Sequence, residues 1–200
     1  MIERDIEKLW GQFESVLGKL EDENIDSFVD KFGQRIVETS FSQRLEEPFC
    51  GYGGLLEFSL KLAKTARSMS AGLNINVINH SVIKAALFCD LGRIGDEYFP
   101  RLIEQESDWH KEKLGQYFTW HESASRSTVN DLSLYHLQNA GIKLTYDEWI
   151  AIKVAQGGHL EENRFYAGQL PAPAQLIQSA RELVLNQERL RIRDEKNSPF

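Results

Sequence analysis

The pair Cys89-Asp90 and the histidines His80, His110, His121, His136 and His159 carry the side chains of this sequence that could hold a divalent cation, since thiolate, carboxylate and imidazole all offer lone pairs. Their spacing assembles no site. No two histidines stand in the H-x-x-x-H relation that places two ligands on one helical face, so they read as surface or hydrogen-bonded groups. Cys89 lies in the apolar stretch from Val82 to Leu91, where a thiol behaves as a small hydrophobe rather than a nucleophile. Cys50 and Cys89 form no CxxC pair, and no second pair completes a zinc ribbon or a disulfide framework. Both read as reduced thiols of a cytosolic compartment. Near the C-terminus Arg189, Arg191 and Arg193 could meet an acidic partner or nucleic acid, but Glu182, Glu188, Asp194 and Glu195 are interleaved with them and point to a solvated face.

Helices must position these residues. A chain of 200 residues, 42% hydrophobic and 26% charged, can bury one substantial core without disulfides or metal clips, so one domain over 1–200 is expected. A net charge of −7 excludes a surface that clings wholesale to phosphate backbones. Ile6, Leu9, Trp10, Phe13, Val16, Leu17 and Leu20 recur three or four apart, as do Phe28, Val29, Phe32, Ile36 and Val37 after a start at Asn24 or Asp26. Together they predict an N-terminal helical hairpin over about 1–45, packed on the rest. A third helix follows Gly53-Gly54 and is expected to end at a left-handed Gly72. Val82 to Leu91 is apolar almost all round, predicting a central buried helix stopped by Gly92.

From Tyr98 to Tyr117 aromatic and charged residues lack periodicity, and short helices and loops are expected there. Val129 to Ala140 predicts a helix closed by Gly141, and Thr145-Tyr146-Asp147-Glu148 has the form of a capping box. A last long helix follows Pro171 and Pro173, with a charged tail expected to fray. No strand-like alternation of useful length is visible. MIERDIEKLW has no apolar signal core and no run of about 18 apolar residues occurs, so a cytoplasmic protein without a membrane partner is expected.

Three stretches in order, GGLLEFSL (53–60), LFCDLGRIGDEYF (87–99) and the block 107–166 with SDWHKEKLGQYF, NAGIKLTYDEWIAIKVAQGG and LEENRFY, resemble the HD-domain phosphohydrolase-like proteins of tailed bacteriophages. The resemblance implies an all-α, HD-domain-like helical bundle. It also implies a metal centre made of a histidine, an adjacent His-Asp pair and a distal aspartate, where the cation polarises a phosphate and lowers the pKa of a bound water.

In this chain the first ligand position is Phe58 and the His-Asp pair reads Cys89-Asp90. A further histidine position falls at Val129, the family's His-Asp-Gly run reads Ala155-Gln156-Gly157, and the distal aspartate aligns with Arg181. Only Asp90 remains of the ligands, so neither a metal nor another cofactor is expected. Phe58, Cys89, Asp90, Arg93, Val129 and Arg181 then form a vestigial pocket without catalytic residues. Arg93 reads as a phosphate contact or a surface salt bridge. The expectation is an inactive HD-fold protein that binds a host or phage protein, or a nucleotide, in the host cytoplasm. The alternatives are a phosphohydrolase with unconventional ligands such as Cys89, His110 or His159, and a virion or assembly component. Because a lone buried carboxylate is costly, Asp90 and Arg181 are expected to converge as an ion pair.

Overall fold

Several helices begin where a side chain takes an orphan N–H group of the first turn. Asp5 accepts from the Lys8 N–H at 3.0 Å and opens α1 (Ile6–Leu17). Thr128 accepts from Asp131 at 3.1 Å and opens α6 (Val129–Asn139). Thr145 and Glu148 cap each other's backbone at 3.2 and 2.8 Å, the predicted capping box, and open α7 (Tyr146–Lys153). The computed structural model describes residues 4–75, 77–158, 160–166 and 168–197. The fold is all-α. Its remaining helices are α2 (Ile25–Glu38), α3 (Gly54–Gly72), α4 (Asn79–Phe88), α5 (Asp108–Leu114) and α8 (Ala172–Asn197).

The central layer is α3, α4, α7 and α8, packed on one another. α4 supplies Val82, Ala85, Ala86 and Phe88, and its small residues let three helices approach it closely. Leu55, Phe58 and Leu62 of α3, Ile150 and Ile152 of α7, and Ile177, Ala180 and Val184 of α8 close around it. Each large side chain removed from water in this way contributes about 1.5–3 kcal/mol. α1 and α2 both lie on α3, and Phe13, Leu17, Phe28, Phe32 and Ile36 belong to the same continuous core. The N-terminal hairpin is thus part of the domain rather than an appendage.

Three local expectations are corrected. Gly72 sits inside the last turn of α3, and the left-handed residue is Asn74, with φ 50°. α4 ends at Phe88, before Gly92, which lies in a short 3-10 turn, Leu91–Ile94. Gly92 answers to packing: a Cβ there would stand 2.1 Å from the Val129 carbonyl oxygen, so only glycine lets α6 come this close. α8 is helical to Asn197, with Arg191 paired to Glu188 and Glu195, and the last three residues of the charged tail lie outside the described residues.

The third correction concerns the segment after Tyr98. β1 (Leu102–Glu104) and β2 (Phe118–Trp120) pair antiparallel there, with Leu102 opposite Trp120 and Glu104 opposite Phe118. The ribbon is stitched to the 40s loop, whose Gln43 carbonyl accepts from Tyr117 at 2.9 Å and Phe118 at 3.1 Å. Arg101 and Trp120 are thereby brought beside residues 40–48. Among the described residues no helix is long and apolar enough to cross a membrane.

Candidate functional site

Asp90 stands at the joint between α4 and the 3-10 turn, and has no exposed surface. Burial alone would push its carboxyl up. Two guanidiniums outweigh that: Arg181 donates Nε–H to Oδ2 at 2.9 Å and Nη2–H to Oδ1 at 3.1 Å, and Arg93 donates Nε–H to Oδ1 at 2.8 Å. Together they hold the carboxyl well below the ordinary carboxylate range. The fork of Arg181 matches both carboxylate oxygens, the bidentate arrangement in which a buried ion pair is best satisfied.

The surroundings fix these two arginines. The Arg93 guanidinium lies 3.7 Å from the centre of the Phe41 ring and donates to the Phe41 carbonyl at 2.8 Å. Arg181 lies 5.7 Å from the Phe58 ring, which itself packs 4.3 Å from Phe41. Cys89 points its sulfur at Asp90 Oδ2, 3.6 Å away. Burial first, and then the Asp90 charge, push its thiol far up, so it supplies no thiolate at neutral pH. Asp90 in turn is already ionised and held. The cluster offers neither a nucleophile nor a free base.

Above this cluster opens a cavity of about 460 Å³ whose lining includes Arg93, Arg101, Arg181, Arg189, Trp120 and Glu47. The charges do not balance. Asp90 is shared by two cations, and the Glu47 carboxylate accepts from the backbone N–H groups of Gln43 and Arg44 at 3.0 and 3.1 Å. Arg101 packs its guanidinium 4.4 Å from the Trp120 ring centre, and Arg126 approaches the same ring at 5.3 Å. Among the described residues no carboxylate lies within bridging distance of Arg101 or Arg126. Burial, and repulsion from Arg93 and Arg126, push Arg101 down to about 10, and it remains a cation at neutral pH. Arg93 Nη2 and Arg181 Nη1 make no hydrogen bond within the described residues, leaving donors for an incoming anion.

Of the residues singled out from the sequence, Arg93 and Arg181 line the cavity while Phe58, Cys89 and Asp90 lie buried behind them. Val129 does not reach it. It sits in the first turn of α6, where its carbonyl accepts from the Ser133 hydroxyl at 2.8 Å. Ser133 also takes the Gly92 N–H at 2.8 Å, so this corner holds the 3-10 turn rather than a ligand.

The histidines are dispersed. His136 is buried with Nε2 on the Gly95 carbonyl at 2.8 Å, His110 meets Ser107 at 2.9 Å, His121 stacks on Phe99 and His80 is exposed. His159 lies outside the described residues. Among the described residues no three His, Cys, Asp or Glu side chains come together as a metal cluster. The donor set around Asp90 does not fit a divalent cation, because guanidinium N–H groups already occupy both carboxylate oxygens and put like charge where the ion would sit.

Sequence reasoning missed Phe41, Arg101, Trp120 and Arg126, and took Arg189 for part of a solvated face. Arg101 and Trp120 reach the cavity through a ribbon of three-residue strands, too short to leave a period-two signal. No protein-family model, no curated protein and no solved structure matches the chain, and what can be concluded of its function rests on this site.

Proposed function

We propose that the chain is a catalytically inactive HD-fold protein of phage infection that works by binding, and that its ligand is a nucleotide seated in the arginine-lined cavity. The observation that carries this reading is the Arg181 fork on Asp90. The residue aligned with the family's distal metal ligand reaches the one retained ligand, but as a cation that replaces the metal. That substitution removes the Lewis acid and the activated water on which HD phosphohydrolysis depends.

The cavity explains what such a protein would keep. Among the described residues Arg93 and Arg181 retain unused donors, Arg101 and Arg126 have no carboxylate within bridging distance, and Trp120 is 37% exposed. A phosphate relieves the cationic surplus and a base has an aromatic face to stack on. A cavity of about 460 Å³ also falls in the size range of small-ligand sites.

The test is calorimetric titration with AMP, with adenosine and inorganic phosphate as controls, on protein whose metal content has been measured. AMP is expected to bind, adenosine alone to bind at least ~10-fold more weakly, and Arg101→Gln to weaken AMP by a similar factor, about 1.4 kcal/mol. No phosphate release should accompany binding. Absence of AMP binding in the millimolar range, or unchanged affinity in Arg101→Gln, would overturn the nucleotide assignment. Metal-stimulated turnover would overturn the inactive one.

A further inference from the structure

A second cavity, of about 940 Å³, runs between α1 and α3 and shares no lining residue with the arginine pocket. Its floor is apolar, with Leu9 and Val16 from α1, Leu60 from α3 and Ile83 from α4 only partly covered around the buried Ala63 of α3. The α1 wall is low, because Gly11 lies along it and a Cβ there would meet nothing within 4 Å. The result is a trough between two helices. Such a shape receives a cylinder more readily than a flat bilayer, which calls for a convex apolar face.

The rim is cationic. Lys8 stands on one wall, Lys64 and Arg67 on the other, all three exposed, and among the described residues none has a carboxylate within bridging distance. The acid of the groove, Glu57, is already taken by Arg4 at 2.6 Å and Lys61 at 2.8 Å. This concentration of exposed cations occurs on a chain whose net charge is −7. By contrast, the adjoining groove between α3 and α8 contains Glu188, paired to both Lys61 and Arg191. The α1–α3 groove is therefore the one with unanswered positive charge over an apolar floor.

We infer that this groove docks an acidic amphipathic helix of a partner protein, with apolar residues at i, i+3, i+4 and i+7 on the floor and carboxylates against Lys8, Lys64 and Arg67. Helix ridges fit grooves between helices, and the partner's charges meet those of the rim in a site shielded on one side from water. The α3 residues lining the groove run from Glu57 to Ala71, a rise of about 21 Å, enough to seat a partner helix of about four turns. This inference stands independently of the nucleotide reading.

The experiment uses the full chain and a synthetic 18-residue peptide with leucines at those positions and glutamates elsewhere, with a charge-reversed lysine peptide and phosphatidylserine vesicles as alternatives. The acidic peptide is expected to bind with a Kd of about 10 μM that weakens as salt rises. It should also slow amide exchange over residues 8–16 and 57–71. Lys64→Glu with Arg67→Glu, and separately Lys8→Glu, should each weaken it at least ~10-fold while leaving the melting temperature unchanged, since among the described residues these exposed side chains have no charge partner to lose. Equal binding of the lysine peptide, binding of vesicles but not of the acidic peptide, no binding at all, or full affinity in the folded variants would each overturn the proposal.

Discussion

Replacing Arg181 by methionine keeps an unbranched stem of similar reach on α8 and deletes the guanidinium, leaving Asp90, which has no exposed surface, with Arg93 alone. Removing one partner of a fully buried ion pair costs about 3–5 kcal/mol, because the remaining charge is left without compensation. Two features reduce that figure here. Arg93 still donates to Oδ1 at 2.8 Å, and the Arg181 side chain is 11% exposed, so water can reach the vacated end. We therefore expect a loss of about 2–4 kcal/mol by urea denaturation at pH 7, which for a domain of this size lowers the melting temperature by roughly 4–16 °C.

Asp90→Asn should be comparably harmful alone. The double variant should lose less than the sum of the two by about 1.5 kcal/mol or more, since neither group is then left unpaired. The pH dependence has a definite sign. The folded Asp90 carboxyl is held below its unfolded value by the two guanidiniums, so its contribution is complete above that unfolded value, about 4. It is lost as the pH falls from there toward the folded value. The gap between the parent and Arg181→Met should accordingly narrow below about pH 4. A variant that melts within about 1 °C of the parent, or a strictly additive cycle, would refute the reasoning.

The thiols of Cys50 and Cys89 are both buried, and burial pushes Cys50 up to about 11 and Cys89 well above its ordinary value. Iodoacetamide should label neither in the native protein and both after unfolding, and native labelling of Cys89 would contradict its place behind Asp90. His136 is lowered, chiefly by burial and against the pull of the Gly95 carbonyl, so the unfolded chain takes up its proton first as the pH falls. Stability should decline below about pH 6.5 and do so less steeply in His136→Gln, as followed by urea melts from pH 7 to 5; identical profiles would count against this. Phe58→His should create no phosphohydrolase activity, because the imidazole would face the Arg181 fork rather than a cation, and metal-dependent phosphate release by that variant would be contrary to the account.

The helices were legible because their apolar residues repeat every three or four positions, and the capping box at Thr145 was legible because its chemistry is local. Glycines at 72 and 92 were misread, since a glycine's role in a turn or in a close approach depends on neighbours distant in the chain, as Val129 is from Gly92. The Asp90–Arg181 pair could be anticipated from the expectation that the resemblance raised for Arg181, taken together with the cost of a buried carboxylate. The pocket above it could not. Phe41 comes from a loop, Trp120 from a three-residue strand and Arg189 from the exposed side of α8, and only the tertiary fold assembles them. The N-terminal hairpin was visible as two amphipathic helices, whereas its merger with the main core depends on contacts with α3 that no periodicity encodes.

Calorimetric titration of the purified chain with Mn²⁺ asks whether a cation can reach the Asp90 carboxylate that the Arg181 and Arg93 guanidiniums occupy. No saturable site for Mn²⁺ and no change of melting temperature in its presence are expected. One Mn²⁺ bound per chain, stabilising the fold and lost in Asp90→Ala, would contradict this.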